Sequence, residues 1–459
     1  MDKGLHHDEE PIVALASGQG ASAIAILRVS GNDCHKLLLP CFRRKNPNKD
    51  WSANFQTLAD FVHPQSEEVI DEVMLTLFRQ PHSYTGQDSA EIFLHGSPYI
   101  IQSALKILYA QGFRSAEPGE FTRRAFLSGK IDLSEAEGIN SLIASASHQQ
   151  WLAARQLYTG KLKDYVDSLF RQLVEAIAWL EASIDFPEED DTSQIQHSQI
   201  LSRVRTVEST LRSLQKTYAS GKVASQGLSV ALFGEPNVGK STLMNTLLGT
   251  ERAIVTDIPG TTRDYLEEGC LINGRLIRLI DTAGVRTKAG TIEQMGIART
   301  YELARQADLV LFLSDSLSPG ALGKIETWKS EVQPRQAVCV LTKCDIQSPD
   351  GPLPTDWLKI SCHTGEGLEA LRLRIQMIAD NFLDPLKEQT FLSSLRHKEA
   401  VDAALRTLEN FFHAHSDRAH DEILAFELQQ AAKSLRAIIG DIGSEDILDL
   451  VFSSFCVGK

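Results

Sequence analysis

Apolar residues change their spacing along this chain, and each change marks a new kind of structure. Up to about residue 126, short apolar runs at Ile12–Leu15, 23–29, 72–78 and 90–94 alternate with turn residues, and one helical stretch covers 98–109. That mixture predicts an α+β domain. Further on, Leu162, Val166, Leu169, Leu173, Ile177, Leu180 and Ile184 recur at steps of three and four, the stripe of an amphipathic helix, and Pro187 follows. Leu201, Val204, Val207, Leu211, Leu214 and Tyr218 repeat the pattern, with Gly221 placed as a C-cap. Between them, 187–197 is rich in Asp, Glu, Gln and Ser and reads as an exposed loop.

Near residue 228 the period vanishes. Continuous apolar runs at 228–233 (LSVALF), 276–280 and 338–341 suit strands buried on both faces. Beyond Pro385 helical spacing resumes in Ala400, Val401, Ala404, Leu405 and Leu408, then in Leu424, Leu428, Ala431, Leu435 and Ile438. These stripes read as core packing. Neither helical piece is complete alone, so the economical arrangement is one helical domain interrupted by an inserted α/β domain, as chain ends that lie close together allow. The expected segments are 1–126, an N-terminal domain; 127–225, the first helical part; 226–382, the insertion; and 383–459, the second helical part.

Length and composition add limits. A chain of 459 residues exceeds one core, and 42% hydrophobic with 23% charged residues describes a soluble globular protein. No apolar run reaches the ~18 residues of a membrane span, and His6, His7, Asp8, Glu9 and Glu10 are unlike a leader peptide. The expectation is a cytoplasmic protein with no membrane association. Seven cysteines without CxxC or Cys/His metal spacing point to reduced thiols. A net charge of -14 argues against a broad nucleic-acid footprint, so any RNA substrate needs a local patch or a partner. Arg114, Arg123 and Arg124 are candidates for such a patch, a solvated surface being the plainer reading.

Candidate chemistry is concentrated in the insertion. Gly234-Glu235-Pro236-Asn237-Val238-Gly239-Lys240-Ser241 fills the GxxxxGK[ST] pattern directly after an apolar run. Glycines at 234 and 239 let backbone N–H groups turn inward, Lys240 reaches the outer phosphates, and Ser241 is placed to hold Mg2+ where a helix begins. The nucleotide-binding set therefore opens with Asn237, Val238, Gly239, Lys240, Ser241 and Thr242. Thr342-Lys343-Cys344-Asp345 follows the 338–341 run and is a TKxD version of the guanine motif. Asp345 accepts only, which suits the N1–H and amine of guanine and leaves adenine mismatched, so GTP is predicted over ATP. Ser361 belongs to a second base-contacting loop, SCHTG. Gly260, Thr261 and Thr262 carry the candidate second magnesium ligand at Thr262, and Asp281, Thr282, Ala283 and Gly284 form the DxxG element that reads the third phosphate.

Valine at 285 departs from Ras-like GTPases, which place a water-orienting glutamine there. In this respect, and in the blocks Ile26-Leu27-Arg28-Val29-Ser30-Gly31, Ser83-Tyr84-Thr85-Gly86, Glu117-Pro118-Gly119-Glu120-Phe121-Thr122, Arg124-Ala125-Phe126-Leu127, Asp185-Phe186-Pro187-Glu188-Glu189 and Phe455-Cys456-Val457-Gly458-Lys459, the chain resembles the tRNA-modification GTPases of the bacterial MnmE (TrmE) family. The resemblance covers nearly the whole chain. It implies three folds: an α+β N-terminal tetrahydrofolate-binding-like domain that dimerises, an all-α helical domain, and an inserted Ras-like α/β P-loop G domain. It also implies that Glu293 is the catalytic glutamate, which otherwise reads as a solvated residue. Asn237 with Thr256, Asp257, Ile258, Pro259, Gly260 and Thr261 matches the family's K+ site, Asn237, Thr256, Ile258 and Thr261 supplying the ligands.

Carried over by position, the family's folate contacts fall on Arg28, Glu91, Lys130 and Lys459, each of which reads alone as a surface charge. Cys456 admits two readings, a nucleophile beside a one-carbon donor or a thiol packed against Phe452 and Phe455. The activity implied is GTP hydrolysis coupled to adding a carboxymethylaminomethyl or aminomethyl group to C5 of the wobble uridine of certain tRNAs. The one-carbon unit would come from a 5,10-methylene or 5-formyl tetrahydrofolate. A homodimer is implied, joined into a heterotetramer with a subunit of the MnmG family that supplies FAD and NADH, since no strand-associated GxGxxG is present here. The alternative from another class is a GTPase switch in ribosome assembly with no covalent chemistry.

Overall fold

The computed structural model describes residues 8–46, 50–185, 190–249, 267–281, 293–346, 353–387, 389–440 and 445–459, the side chains at 190–196, 293–297, 445–447 and 450 excepted. Two compact units result, Met1–Glu137 with Ile439–Lys459, and Gly138–Ile438.

In the first unit, strands β1 (Ile12–Leu15), β2 (Ile24–Ser30), β3 (Phe42–Arg44), β4 (Gln56–Val62), β5 (Val69–Phe78), β6 (Ser89–His95) and β7 (Arg114–Ser115) form one sheet. Their order is β3-β4-β5-β6-β2-β1-β7, with only β1 and β7 parallel. One face is buried by alternate residues: Ala25, Leu27 and Val29 of β2 meet Ala90, Ile92 and Leu94 of β6 and Val73, Leu75 and Leu77 of β5 in one core. The helix Pro98–Ala110 lays Ile101, Ala104, Ile107 and Leu108 on that core. Side chains of a strand alternate in direction, so Arg28 and Glu91, set between these core residues and opposite each other in the β2/β6 register, leave from the other face.

The chain's last residues close this unit. Phe126, Leu133, Phe452 and Phe455 share an apolar cluster, and Pro118 pairs with Val457 in an antiparallel bridge. Gly119 N–H donates to Cys456 O at 3.3 Å and Phe121 N–H to Lys459 O at 3.2 Å. The contact demands glycine at 119: its φ is 68°, and a Cβ there would stand 2.6 Å from Phe452 O.

In the second unit, β8 (Leu228–Gly234), β9 (Glu267–Ile272), β10 (Arg275–Asp281), β11 (Leu309–Ser314), β12 (Ala337–Leu341) and β13 (Trp357–Lys359) are ordered β13-β12-β11-β8-β10-β9, antiparallel only at the β9 edge. Helices cover both faces, which explains the unbroken apolar runs. Val230, Leu232, Leu311 and Val340 pack against Leu243 and Leu247 of the helix Lys240–Leu248 and Leu371 and Ile375 of the helix Leu368–Leu383. Phe233, Val310, Phe312 and Leu341 meet Ala304 and Ile325 from the other side.

The two helical stretches that flank this sheet in the sequence pack together. The helices Lys161–Asp185 and Asp190–Lys216 precede it, and Leu395–Ser416 and Asp421–Ile439 follow it. Their stripes are buried as the spacing predicts, from Leu162 to Leu180 and from Leu424 to Ile438. Polar ties cross between them: Gln215 donates to Asp402 at 2.6 Å, Ser183 to Asp421 at 2.8 Å, and Arg436 to Asp167 at 3.2 Å.

Three expectations need correction. Gly221 does not end a helix; it lies inside Tyr218–Gln226, where a Cβ would meet Leu392 O at 2.0 Å, so the glycine permits a close crossing. The polar stretch 187–197 is helical from Asp190 onward. The arginines at 114, 123 and 124 form neither an RNA patch nor a solvated face. Arg124 is 2% exposed and shares Glu120 with Arg114, while Arg123 pairs with Asp8.

Candidate functional site

Among the described residues, three loops and the end of β10 meet at the carboxyl edge of the second unit's sheet, the place where parallel α/β sheets bind ligands. The first follows β8. Asn237 and Gly239 take left-handed backbone conformations (φ 62° and 102°), turning successive N–H groups to one side before the helix Lys240–Leu248 begins. Asparagine tolerates that region better than most residues. Val238 is 2% exposed and anchors the loop. The Lys240 ammonium donates to Gly234 O at 2.9 Å and Glu235 O at 2.7 Å, holding the lysine over the loop. Ser241 donates to Asp281 Oδ2 at 3.5 Å, so the loop and the end of β10 offer two oxygens to one point. An alcohol beside a carboxylate at a helix N-terminus is a donor set that fits Mg2+. Asn237 and Thr242 are exposed, and the Asn237 amide oxygen is of the type K+ accepts.

The base-reading loops follow β12 and β13. Asp345 is exposed, and the Ser361 hydroxyl holds its carboxyl below the usual value. Ser361 is itself fully buried and accepts from the N–H groups of His363 and Thr364 at 3.2 and 3.1 Å, shaping its own turn. Lys343, at φ 55°, pairs with Asp315 at 3.0 Å. Thr342 is 3% exposed, and its hydroxyl donates to Val238 O at 2.7 Å and approaches Ser314 O at 3.3 Å. The side chain expected at the base thus ties the phosphate loop to the neighbouring strands. The motif, in which asparagine is the commoner first residue, carried no sign of that role.

Asn237, Val238, Gly239, Lys240, Ser241, Asp281, Thr342, Lys343, Asp345 and Ser361 therefore belong to loops on one sheet edge. Thr256, Asp257, Ile258, Pro259, Gly260, Thr261, Thr262, Thr282, Ala283, Gly284 and Val285 lie outside the described residues. Glu293 opens the helix Glu293–Gln306, its side chain likewise outside the description.

A second constellation occupies the first unit. Arg28 donates through Nε and Nη2 to Glu91 Oε1 at 3.1 and 2.8 Å and through Nη1 to Gly458 O at 3.4 Å. Its guanidinium lies 5.5 Å from the Tyr84 ring centre and 5.8 Å from that of Phe121. Lys459 is half-buried; burial, and then the nearby Arg28 charge, push its pKa down. Arg28, Glu91 and Lys459 are thus neighbours, whereas Lys130 is exposed beyond the helix Glu120–Leu127 and its side chain is not among this cluster's contacts. An accepting carboxylate, two cations and two rings are groups of the kind a pterin with an acidic tail requires. Cys456 is a free, exposed thiol.

Spacing alone did not reveal Tyr84 and Phe121 as the rings beside Arg28, although both stood in blocks already noted. Nor did it reveal the buried set beneath them. Arg124 bonds Glu120 Oε1 at 2.7 Å and Gln87 Oε1 at 3.0 Å, and Ser30 shares a 2.7 Å hydrogen bond with Thr85. The i, i+4 spacing of Glu120 and Arg124 was the available signal.

The fold and the residues at its edge define a P-loop GTPase class of protein, joined to a helical domain and to an α+β domain. The model of the GTP-binding protein TrmE N-terminus matches residues 11–130, and that of the MnmE helical domain matches residues 133–456. Proteins described as tRNA modification GTPase MnmE are similar over their full length: 37% identity in Chlorobium chlorochromatii, covering 100% of both chains, and 38% in Akkermansia muciniphila, covering 98% of this chain and 99% of the relative. The chain belongs to the MnmE family. Among solved structures, the G domain of the T. maritima FeoB iron transporter is 29% identical, covering 33% of this chain and 98% of that one, with a TM-score of 0.24.

Proposed function

We propose that this chain hydrolyses GTP and takes part in modifying tRNA, adding a carboxymethylaminomethyl or aminomethyl group to C5 of the wobble uridine. The observation that carries the reading is the convergence of the phosphate loop, the Ser241–Asp281 pair and the Asp345–Ser361 pair on one sheet edge, in a chain similar throughout to proteins named tRNA modification GTPases.

In this reading the N–H groups of residues 238–241 and the Lys240 ammonium bind the phosphates, while Asp345 accepts from guanine N1–H and the amine. Ser241 and Asp281, with Thr262, would hold Mg2+; Asn237, Thr256, Ile258 and Thr261 would hold K+. Bound cations neutralise charge that develops on the phosphates. Glu293 orients the attacking water, a task Val285 has no group to perform. In the first unit, Glu91 accepts from the pterin's donor edge and Arg28 and Lys459 pair with the acidic tail of a methylene- or formyl-tetrahydrofolate. Lys130 would have to reach in from its exposed position. The chain acts as a cytoplasmic homodimer, with the G domain of 226–382 inserted in the helical domain, and FAD and NADH enter only through an MnmG-family partner.

Mass spectrometry of tRNA wobble nucleosides from cells lacking the protein tests the reading. Loss of the C5 substituent, restored by the intact gene, is expected. An unchanged nucleoside profile overturns it.

A further inference from the structure

The second unit contains a cleft of about 690 Å³, lined on one side by the helix His148–Tyr158 and on the other by Arg275 and the end of the helix Leu368–Leu383. None of the residues assigned to GTP or folate lines it. Its size suits a single nucleotide.

The cations of this cleft are of two kinds. Arg275 and Lys387 are engaged by Asp380 and Asp384 at 2.6 and 2.7 Å. Arg155 and Lys161 have no carboxylate partner among the described residues. Arg155 lies instead 5.3 Å from the centre of the Trp151 ring, and His148 stacks on the same ring at 5.7 Å and 30°. Gln149 adds an Oε1 that is withdrawn from water and makes no hydrogen bond. His148, Trp151, Arg155 and Tyr158 follow one another at steps of three and four, so they form one stripe of the helix, with Trp151 37% and Tyr158 52% exposed. In sequence the stripe sits within the stretch between Glu137 and Asp164, which contains no Asp or Glu although the chain carries a net charge of -14.

Resting on the reading that tRNA is the substrate, we propose that this stripe and cleft grip a single-stranded segment of that RNA. Arg155 and Lys161 pair with its phosphates, Trp151 stacks on a base, and a neighbouring nucleotide enters the cleft, where Gln149 Oε1 accepts from its base. Unpaired RNA is favoured over duplex because paired bases present no faces for stacking. It is favoured over a free small anion because the aromatic stripe runs beyond the cleft to exposed Tyr158.

The test uses the full-length chain, with fluorescence anisotropy on whole tRNA, on a blunt RNA duplex and on uridine monophosphate. Wild type is expected to prefer tRNA. R155A/K161A is expected to bind tRNA about tenfold more weakly, and its affinity to fall less steeply with salt, by roughly 0.7 in log–log slope per lost phosphate contact. Trp151→Ala is expected to weaken tRNA binding about tenfold while sparing the salt slope. GTP hydrolysis at the wild-type rate certifies the fold of each variant. Should a variant fail to fold, photocrosslinking of thiouridine-substituted tRNA to the wild type decides: crosslinks within 148–161 support the proposal, and crosslinks only elsewhere overturn it. Variants that bind tRNA like wild type overturn it, as does uridine monophosphate binding as tightly as tRNA. If variants restore wobble modification fully in cells that need the protein for it, this inference falls while the tRNA reading stands. An unchanged nucleoside profile in cells lacking the protein removes both.

Discussion

Two charged regions of the molecule solve opposite problems. In the first unit Glu120 and Arg124, 4% and 2% exposed, are buried and satisfied by one another and by the half-buried Arg114 and Gln87. At the nucleotide edge of the second unit, Asp345 stands exposed at the end of a loop, positioned by a buried serine, and Lys240 is held over backbone carbonyls. Charges that are one another's partners serve stability, and charges presented from shaped loops serve a ligand. Substitutions in the first set should therefore be read in unfolding and those in the second in nucleotide chemistry.

The largest effect is expected at Glu293. Replacing it with alanine should lower the single-turnover rate of GTP hydrolysis by about a thousandfold and leave GTP affinity within severalfold, because the group acts on the attacking water. Stability should not change. A preserved rate would remove Glu293 from the reaction and make Arg286, which follows Val285 in the sequence, the next residue to test.

Glu120→Gln probes the opposite case. It leaves Arg124 buried without its counter-charge and should cost about 3 kcal/mol in denaturant unfolding, with GTP hydrolysis at the wild-type rate. Burial pushes the Glu120 carboxyl up, but Arg114, the Glu117 N–H and Arg124 outweigh it and hold the pKa below the usual glutamate value. The linkage follows from that sign. The stabilisation is complete above the unfolded-state pKa and disappears as pH falls through the folded-state pKa. Wild type should lose stability across that acid range more steeply than Glu120→Gln. Parallel curves would show that Glu120 is not the titrating group.

Asp345→Asn should weaken GTP about a hundredfold and improve xanthosine triphosphate, whose extra carbonyl accepts from the new amide. The melting temperature should stay put, since Asp345 is exposed. If nucleotide preference is unchanged, the base is read elsewhere.

The same contrast explains what could be read in advance. The phosphate and base loops were legible because each is a contiguous motif placed directly after an apolar run, so 234–241 and 342–345 carry their own context. Arg28, Glu91 and Lys459 are far apart in sequence and meet only through the β2/β6 register and the docking of the last residues beside Phe121. Without the family resemblance they were three surface charges. Gly221 was misread because glycine serves both as a cap and as a point of close approach, and only Leu392 O decides between them. Arg124 was misread because a charged residue is assumed exposed until its partner is known. The polar stretch after Pro187 looked like a loop, yet acidic residues also favour a helix N-terminus, where Asp190 begins one.

Thr342 tests whether the two kinds of region are cleanly separate, because it is a buried group inside the nucleotide edge. Its hydroxyl bonds Val238 O at 2.7 Å, so it belongs by burial to the stability set and by position to the ligand set. Thr342→Val keeps the shape and removes the donor, leaving the Val238 carbonyl without it. A cost of about 1 kcal/mol is expected, or roughly 2–4 °C in the melting temperature of the G-domain transition. Because Val238 precedes Gly239 in the phosphate loop, GTP affinity should fall severalfold as well, and added GTP should recover part of the lost melting temperature. Both readouts moving together would show that the loop's shape is maintained by this hydrogen bond. A fall in stability with unchanged affinity would place Thr342 with the buried charges, as packing only; a fall in affinity without loss of stability would return it to the base, where its motif position first put it.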